Sequence, residues 1–400
     1  MEEKLVRPAM PELDTLRGLA ILLVLFFHGF GFQFATAHLP RLAHLFVAAT
    51  MPGWIGVNLF FVLSGFLITG ILLDSKSSPH YYRRFYARRA LRILPAYYAF
   101  LLFLSIAPKT GWLDHRQVSW QFIGLSFVYL SNVTHFFGVP MQYGALWSLA
   151  VEEHFYLAWP IVVRSLSRKA IAICAFSVVI ICPLLRTIAF RRGDEYGAGY
   201  TWLVADGLAM GSLLGLFSRS WLADRERMKQ AAIFCVGAAG ALLACGAPFG
   251  IFLSRTELGG ILRPTALNLF FAGALGSVLL IGTSNLKWIV RRPILQFFGR
   301  ISYGLYLFHM LVFDFVDHLI GLFVQNSVVM VRTNFALICL RFAIAGILAT
   351  ATAALSRKYF EEWFLRLKEK CAPLAGSQQP MAPAFLGTAE DQLVIQNQAI

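Results

Sequence analysis

The stretch Arg17-Gly18-Leu19-Ala20-Ile21-Leu22-Leu23-Val24-Leu25-Phe26-Phe27-His28-Gly29-Phe30-Gly31-Phe32-Gln33-Phe34 is apolar on every side of the helix it would form. Only Arg17, His28 and Gln33 interrupt it. A helix without a polar face has to be buried in a large core or in lipid. About 20 such residues cross a hydrocarbon layer of about 30 Å. Similar stretches recur as far as Ala354, giving ten expected spans: 16–35, 54–73, 94–108, 147–163, 170–190, 200–217, 230–251, 263–283, 303–323 and 334–355. The expected fold is therefore all-α, a polytopic transmembrane helical bundle.

Composition agrees. Hydrophobic residues make up 58% of the 400, charged residues 14%, and the mean hydropathy is +0.64. That is too apolar for a water-soluble domain of this length. The net charge of +14 does not point to nucleic acid, because the basic residues lie in short clusters between apolar spans rather than along one face. With the N-terminus on the cytoplasmic side, inside segments carry 24 Lys and Arg and outside segments 7. That bias predicts both termini in the cytoplasm of a cell with the chain in its cytoplasmic (inner) membrane. Trp120 to Phe137 is apolar enough to be an eleventh span, but counting it would invert every later loop. It is read as an outer re-entrant or interfacial segment.

The first span is too long for a cleaved signal core and carries His28, so no cleavage after Ala35-Thr36-Ala37 is expected. Cys174, Cys182, Cys235, Cys245, Cys339 and Cys371 show no metal-ligand or redox spacing and read as reduced packing residues, and no metal site is expected. Cys371 to Ile400 is rich in Gln, Ala and Pro without a helical apolar period. It is expected to be a disordered cytoplasmic tail beyond a membrane domain of residues 1–370.

Ionisable groups within spans cost several kcal/mol unless they face a polar cavity or a partner. Arg17, His28, Glu152 and Asp206 stand out. His28 lies 11 residues beyond Arg17, about 16 Å along a helix, and Glu152 and Asp206 fall at a similar level. An imidazole and a carboxylate at one depth suit a general base with its partner. They also suit a proton relay in a secondary transporter, which is the rival reading, or a structural hydrogen-bonded cluster. Inverted repeats would favour that rival, and none is visible. Between the second and third expected spans, Arg83, Arg84, Arg88, Arg89 and Arg92 form a cluster. Guanidinium forks grip phosphate oxygens, although anchoring to anionic lipid explains such a cluster too. Ser64 lacks the Gly-x-Ser-x-Gly elbow of a nucleophile and reads as a packing or pore-lining hydroxyl. Gly207, Gly211 and Gly215 have the small-xxx-small spacing of close helix packing.

Several blocks together have a familiar form. They are Leu13-Asp14-Thr15-Leu16-Arg17-Gly18-Leu19-Ala20 leading to His28, Gly56 to Leu67, Arg89-x-x-Arg92-x-x-Pro95, Leu146 to Leu157 with Glu152-Glu153-His154-Phe155-Tyr156 inside it, Ala205-Asp206-Gly207-x3-Gly211, and Ser302 to His309. From Pro11 to about Leu367 the chain resembles the acyltransferase 3 family, integral-membrane enzymes that acylate lipopolysaccharide, exopolysaccharide, peptidoglycan and related acceptors. The resemblance implies an acyl-CoA donor substrate, usually acetyl-CoA, no permanently bound cofactor, and a carbohydrate or glycolipid acceptor. It implies His28 as general base, Glu152 as an essential acid, and Arg17, Arg89 and Arg92 as donor-site cations. Ser64, Asp206, Tyr303 and His309 take supporting positions along a pore. Two departures concern local packing: His154 stands where the family has Gln, and the terminal block reads Glu361-Glu362-Trp363.

Overall fold

The computed structural model describes residues 4–31, 39–107, 118–194, 199–253, 256–323 and 334–371. Among these the chain is helical, with no strand. The main helices are α1 (Pro11–Phe26), α2 (Arg41–Thr50), α3 (Ile55–Asp74), α4 (Tyr81–Ile106), α5 (Trp120–Phe127), α6 (Leu146–Ser165) and α7 (Arg168–Arg191). They continue with α8 (Thr201–Val204), α9 (Asp206–Phe217), α10 (Arg225–Gly246), α11 (Glu257–Gly282), α12 (Lys287–Val290), α13 (Pro293–Phe323), α14 (Phe335–Leu355) and α15 (Glu362–Cys371). The expected tail beyond Cys371 and the residues following the first span lie outside the described residues.

Among the described residues, eight helical segments are long and apolar enough to cross a membrane. The other two expected spans correspond to α6, whose 20 residues include Glu152, Glu153 and Arg164, and to α9, which has only 12. This is a multi-pass membrane protein. Its outward faces agree: Phe176 on α7 is 58% exposed and Phe234 on α10 is 71% exposed, an arrangement that water would penalise and lipid does not. Residues 120–137 form α5 and a 3₁₀ segment, Ser131–Phe137. At about 1.5 to 2 Å per residue neither is long enough to span.

Helix starts differ from the expected spans wherever charge masks them. α4 begins at Tyr81 rather than 94, so the arginine cluster is its first part and not a loop. α13 begins at Pro293 rather than 303, which sets His309 sixteen residues, about 24 Å, along its helix rather than six. The segment expected at 200–217 is broken at Ala205 into α8 and α9.

Close helix packing is built on small residues. A Cβ on Gly211 would lie 2.0 Å from the Val62 carbonyl oxygen, so the glycine lets α9 touch α3. A Cβ on Gly18 would lie 1.9 Å from the Leu295 carbonyl oxygen, where α1 meets α13. The small-xxx-small reading at Gly211 is thus a packing contact.

Candidate active site

A cavity of about 100 Å³ opens between α1, α3, α4, α6 and α13. Its polar lining is Arg17 from α1, Ser64 from α3, Arg89 and Arg92 from α4, Ser148, Glu152, Glu153 and Tyr156 from α6, and Ser302, Tyr303 and Tyr306 from α13. The expected donor cations, Ser64, Glu152 and Tyr303 therefore line one space, although they come from five helices.

Glu152 is held on both sides. The Ser64 hydroxyl donates to Oε1 at 2.9 Å and the Tyr156 hydroxyl to Oε2 at 2.8 Å. Ser64 is thus a lining hydroxyl that orients a carboxylate. Glu153 lines the same cavity with no hydrogen bond or ion pair among the described residues, which leaves it as the carboxylate open to a ligand. Arg17 pairs with Asp14 at 3.1 Å. Arg89 stacks over the Tyr156 ring at 5.3 Å, a cation–π contact. Neither Arg89 nor Arg92 makes an ion pair among the described residues. One turn apart on α4, they present two guanidiniums to the cavity that Glu152 and Glu153 also line.

His28 is not part of this lining. It stands in a π-helical turn, Phe27–Gly31, that continues α1, and π turns are enriched at functional sites. Nε2 of His309 lies 3.2 Å from Nδ1 of His28. The tautomers are assigned from their partners. His309 Nδ1–H donates to the Tyr306 carbonyl at 2.7 Å, so its Nε2 carries the lone pair. His28 Nδ1–H then donates to the Val24 carbonyl at 3.0 Å and toward His309. The His28 lone pair is thereby placed on Nε2, the atom that can take a proton. His309 is fully buried, and Tyr143 fixes its helix by inserting a hydroxyl between Leu307 O at 2.9 Å and Leu311 N at 3.2 Å.

The two groups are joined by side chains. Tyr306 lines the cavity, bonds to Ser148 at 2.5 Å, and lies one turn before His309 with ring centroids 5.8 Å apart. A continuous column thus runs from the cavity through Tyr306 and His309 to His28. Equal depth along the sequence suggests His28 and Glu152 as a pair. The structure instead gives His28 the imidazole of His309 and the Val24 carbonyl, while Ser64 and Tyr156 take Glu152.

Asp206 goes elsewhere. It is fully buried against Arg186, whose Nη2 is 2.9 Å from Oδ2, and it accepts from Thr265 at 2.7 Å. Arg186 also donates to the carbonyls of Leu203 and Ile261 at 2.7 and 3.0 Å. This network belongs to α7, α9 and α11 and does not line the cavity. At the position where the family has Gln, His154 Nδ1 bonds to Thr201 Oγ1 at 2.7 Å.

Glu153, Tyr156, Ser148 and Tyr306 carry no role assigned from the sequence. Glu153 and Tyr156 sit in the quoted α6 block at i+1 and i+4 from Glu152, so the i, i+4 spacing was an available signal for the Tyr156 bond. Nothing in the sequence marks Ser148 and Tyr306 as partners, 158 residues apart.

A family model described as an acyltransferase domain matches residues 10–355. The chain belongs to the acyltransferase 3 family. The match spans every residue of the site described above. The chain is 29% identical over 335 residues, 76% of its length, to the peptidoglycan O-acetyltransferase OatA of Listeria monocytogenes. It is 30% identical over 211 residues to a putative peptidoglycan O-acetyltransferase, YrhL, of Bacillus subtilis, which covers 46% of this chain and 29% of the relative. It is 27% identical over 331 residues, 77% of its length, to a putative O-acetyltransferase of Staphylococcus aureus. The chain spans about half the length of the Listeria and Staphylococcus relatives, 49% and 51%. No solved structure matches it.

Proposed function

We propose that this acyltransferase moves an acyl group, acetyl in the first instance, from acyl-CoA to a hydroxyl of a carbohydrate or glycolipid acceptor. The observation that carries the reading is the cavity. Two guanidiniums without ion-pair partners line it beside a polar pocket, and a column of aromatic and imidazole groups leads from it to His28. Cytoplasmic acyl-CoA places its phosphates on Arg89 and Arg92, with Arg17 adjacent, and the thioester points along the column. Nε2 of His28 takes the proton of the acceptor hydroxyl as its oxygen attacks the thioester carbonyl. The C–S bond then breaks, and the CoA thiolate leaves with the proton from the imidazolium. The helix-lined space limits water that would hydrolyse the donor. The relatives, O-acetyltransferases of peptidoglycan among them, support acetyl as the group and a glycan as the acceptor class.

The charge bias supports both termini in the cytoplasm of a cell whose inner membrane holds the bundle. With His80→Cys, labelling only after the cell is opened agrees with that topology, and labelling of intact cells contradicts it. The function is tested by mass spectrometry of ester-linked acyl groups on the host's surface glycans, with and without the gene. Loss of one ester class, restored by the wild-type gene and not by His28→Ala, is the expected result. An unchanged ester profile overturns the glycan reading.

A further inference from the structure

The geometry points to Arg341 and Asp317 as a clamp that fixes the separation of His28 and His309, making both of them positioning residues for acyl transfer. The inference rests on the reading of His28 as the general base.

It begins with the turn that holds His28. The carbonyls of a last helical turn lack partners within the helix, and in this chain that turn is also widened from i→i+4 to i→i+5 geometry. Arg341, on α14, donates from Nη1 to the carbonyl oxygen of Gly29, the residue next to His28, at 3.1 Å. Its other edge forks onto Asp317, with Nη2 to Oδ2 at 2.6 Å and Nε to Oδ1. Asp317 lies on α13 eight residues, about 12 Å, beyond His309. A single guanidinium therefore ties together the turn carrying His28, the helix carrying His309, and α14.

The surroundings reinforce this. Arg341 is 2% exposed and lies over the Phe313 ring at 5.0 Å. Its neighbour Phe342 closes on the same turn: its ring is 4.3 Å from that of Phe30, and a Cβ on Gly29 would meet it at 2.3 Å. Apolar residues of similar volume commonly replace a buried ion pair without loss of stability. What apolar residues cannot supply is a hydrogen bond to the Gly29 carbonyl that is fixed in direction relative to α13. Without it the π turn is free to relax toward α geometry, which turns the His28 ring relative to His309. A misplacement of about 1 Å at a reacting group costs about 100-fold in rate.

The test uses the full chain in lipid nanodiscs, with acetyl-CoA and the glycan fraction that the wild type acylates. The paired variant Arg341→Met/Asp317→Asn removes the clamp without leaving a lone buried charge, and Arg341→Lys keeps the charge but cannot span both partners. The paired variant is expected to lose about 10- to 100-fold in kcat with KM for acetyl-CoA unchanged, and Arg341→Lys to fall between it and wild type. In a His28→Ala background, clamp removal is expected to change the residual rate by less than about threefold, because the two changes act through one group. Wild-type kcat in the folded paired variant overturns the clamp, as does an equal loss in the His28→Ala background, which would make it a structural brace. If the paired variant does not fold, Arg341→Lys at wild-type kcat overturns it. Full activity of His28→Ala removes the base reading itself, an outcome distinct from an inactive His28→Ala beside an active clamp variant.

Discussion

Arg186 and the pair Arg89/Arg92 are arginines in apolar helices, yet they do opposite things. Arg186 is 7% exposed, and its guanidinium meets Asp206, Thr265 and two backbone carbonyls. Nothing is left for a ligand, so the group ties α7, α9 and α11 together. Arg89 and Arg92 line a cavity and make no ion pair among the described residues. A charge in a membrane is costly wherever it stands, so its presence alone does not separate scaffold from site. The separation comes from whether the protein itself supplies the partner. The same distinction divides the carboxylates: Asp206 is saturated, Glu152 is oriented by two hydroxyls, and Glu153 is open to the cavity. It also weakens the proton-relay reading of the chain, since one of the three relay groups is locked to Arg186.

The largest expected effect that follows from this distinction is at His28. Removing a positioned general base costs about 10² to 10⁴ in rate, so His28→Ala should cut acceptor acylation to a small residual rate while expression and donor binding stay near wild type. A folded variant within about tenfold of wild type removes the base role. Next is Asp206→Ala, which strands the buried Arg186 and should cost about 3–5 kcal/mol of stability, read as a lower thermal midpoint and less folded protein. The folded remainder should keep its kcat; a normal midpoint with lost kcat would move Asp206 from scaffold to site. The smallest is Ser64→Ala. It removes one donor to a carboxylate, worth about 1.5–3 kcal/mol, and should loosen Glu152 and lower kcat with little change in the amount folded. An unchanged kcat would show that Tyr156 alone holds Glu152.

Much of the fold was legible because lipid demands long apolar helices, and a window of hydropathy finds those. The boundaries failed where a helix runs past the membrane in charged residues, as in the Arg83 to Arg92 portion of α4, or where a short helix relies on packing, as α9 does through Gly211. The site was legible as a set of residue types, since Arg17, His28, Glu152 and the arginine pair are conspicuous against apolar neighbours. The pairings were not legible, because they are tertiary. His28 meets His309 across 281 residues, and Ser64 meets Glu152 across 88. The π turn under His28 has no signature that an α-helical period would reveal, and that turn, together with Arg341, decides where the imidazole points.

Calorimetric titration of CoA into the purified full chain tests most directly whether unsaturated guanidiniums mark the donor site. With Arg89→Gln/Arg92→Gln, two charge-assisted contacts of about 1.5–3 kcal/mol each are removed, so affinity should fall by about 100-fold or more. With Arg186→Met/Asp206→Leu, which replaces the saturated pair by apolar groups, CoA affinity should match wild type. Undiminished binding in the folded Arg89→Gln/Arg92→Gln protein would contradict the account and return that cluster to lipid anchoring.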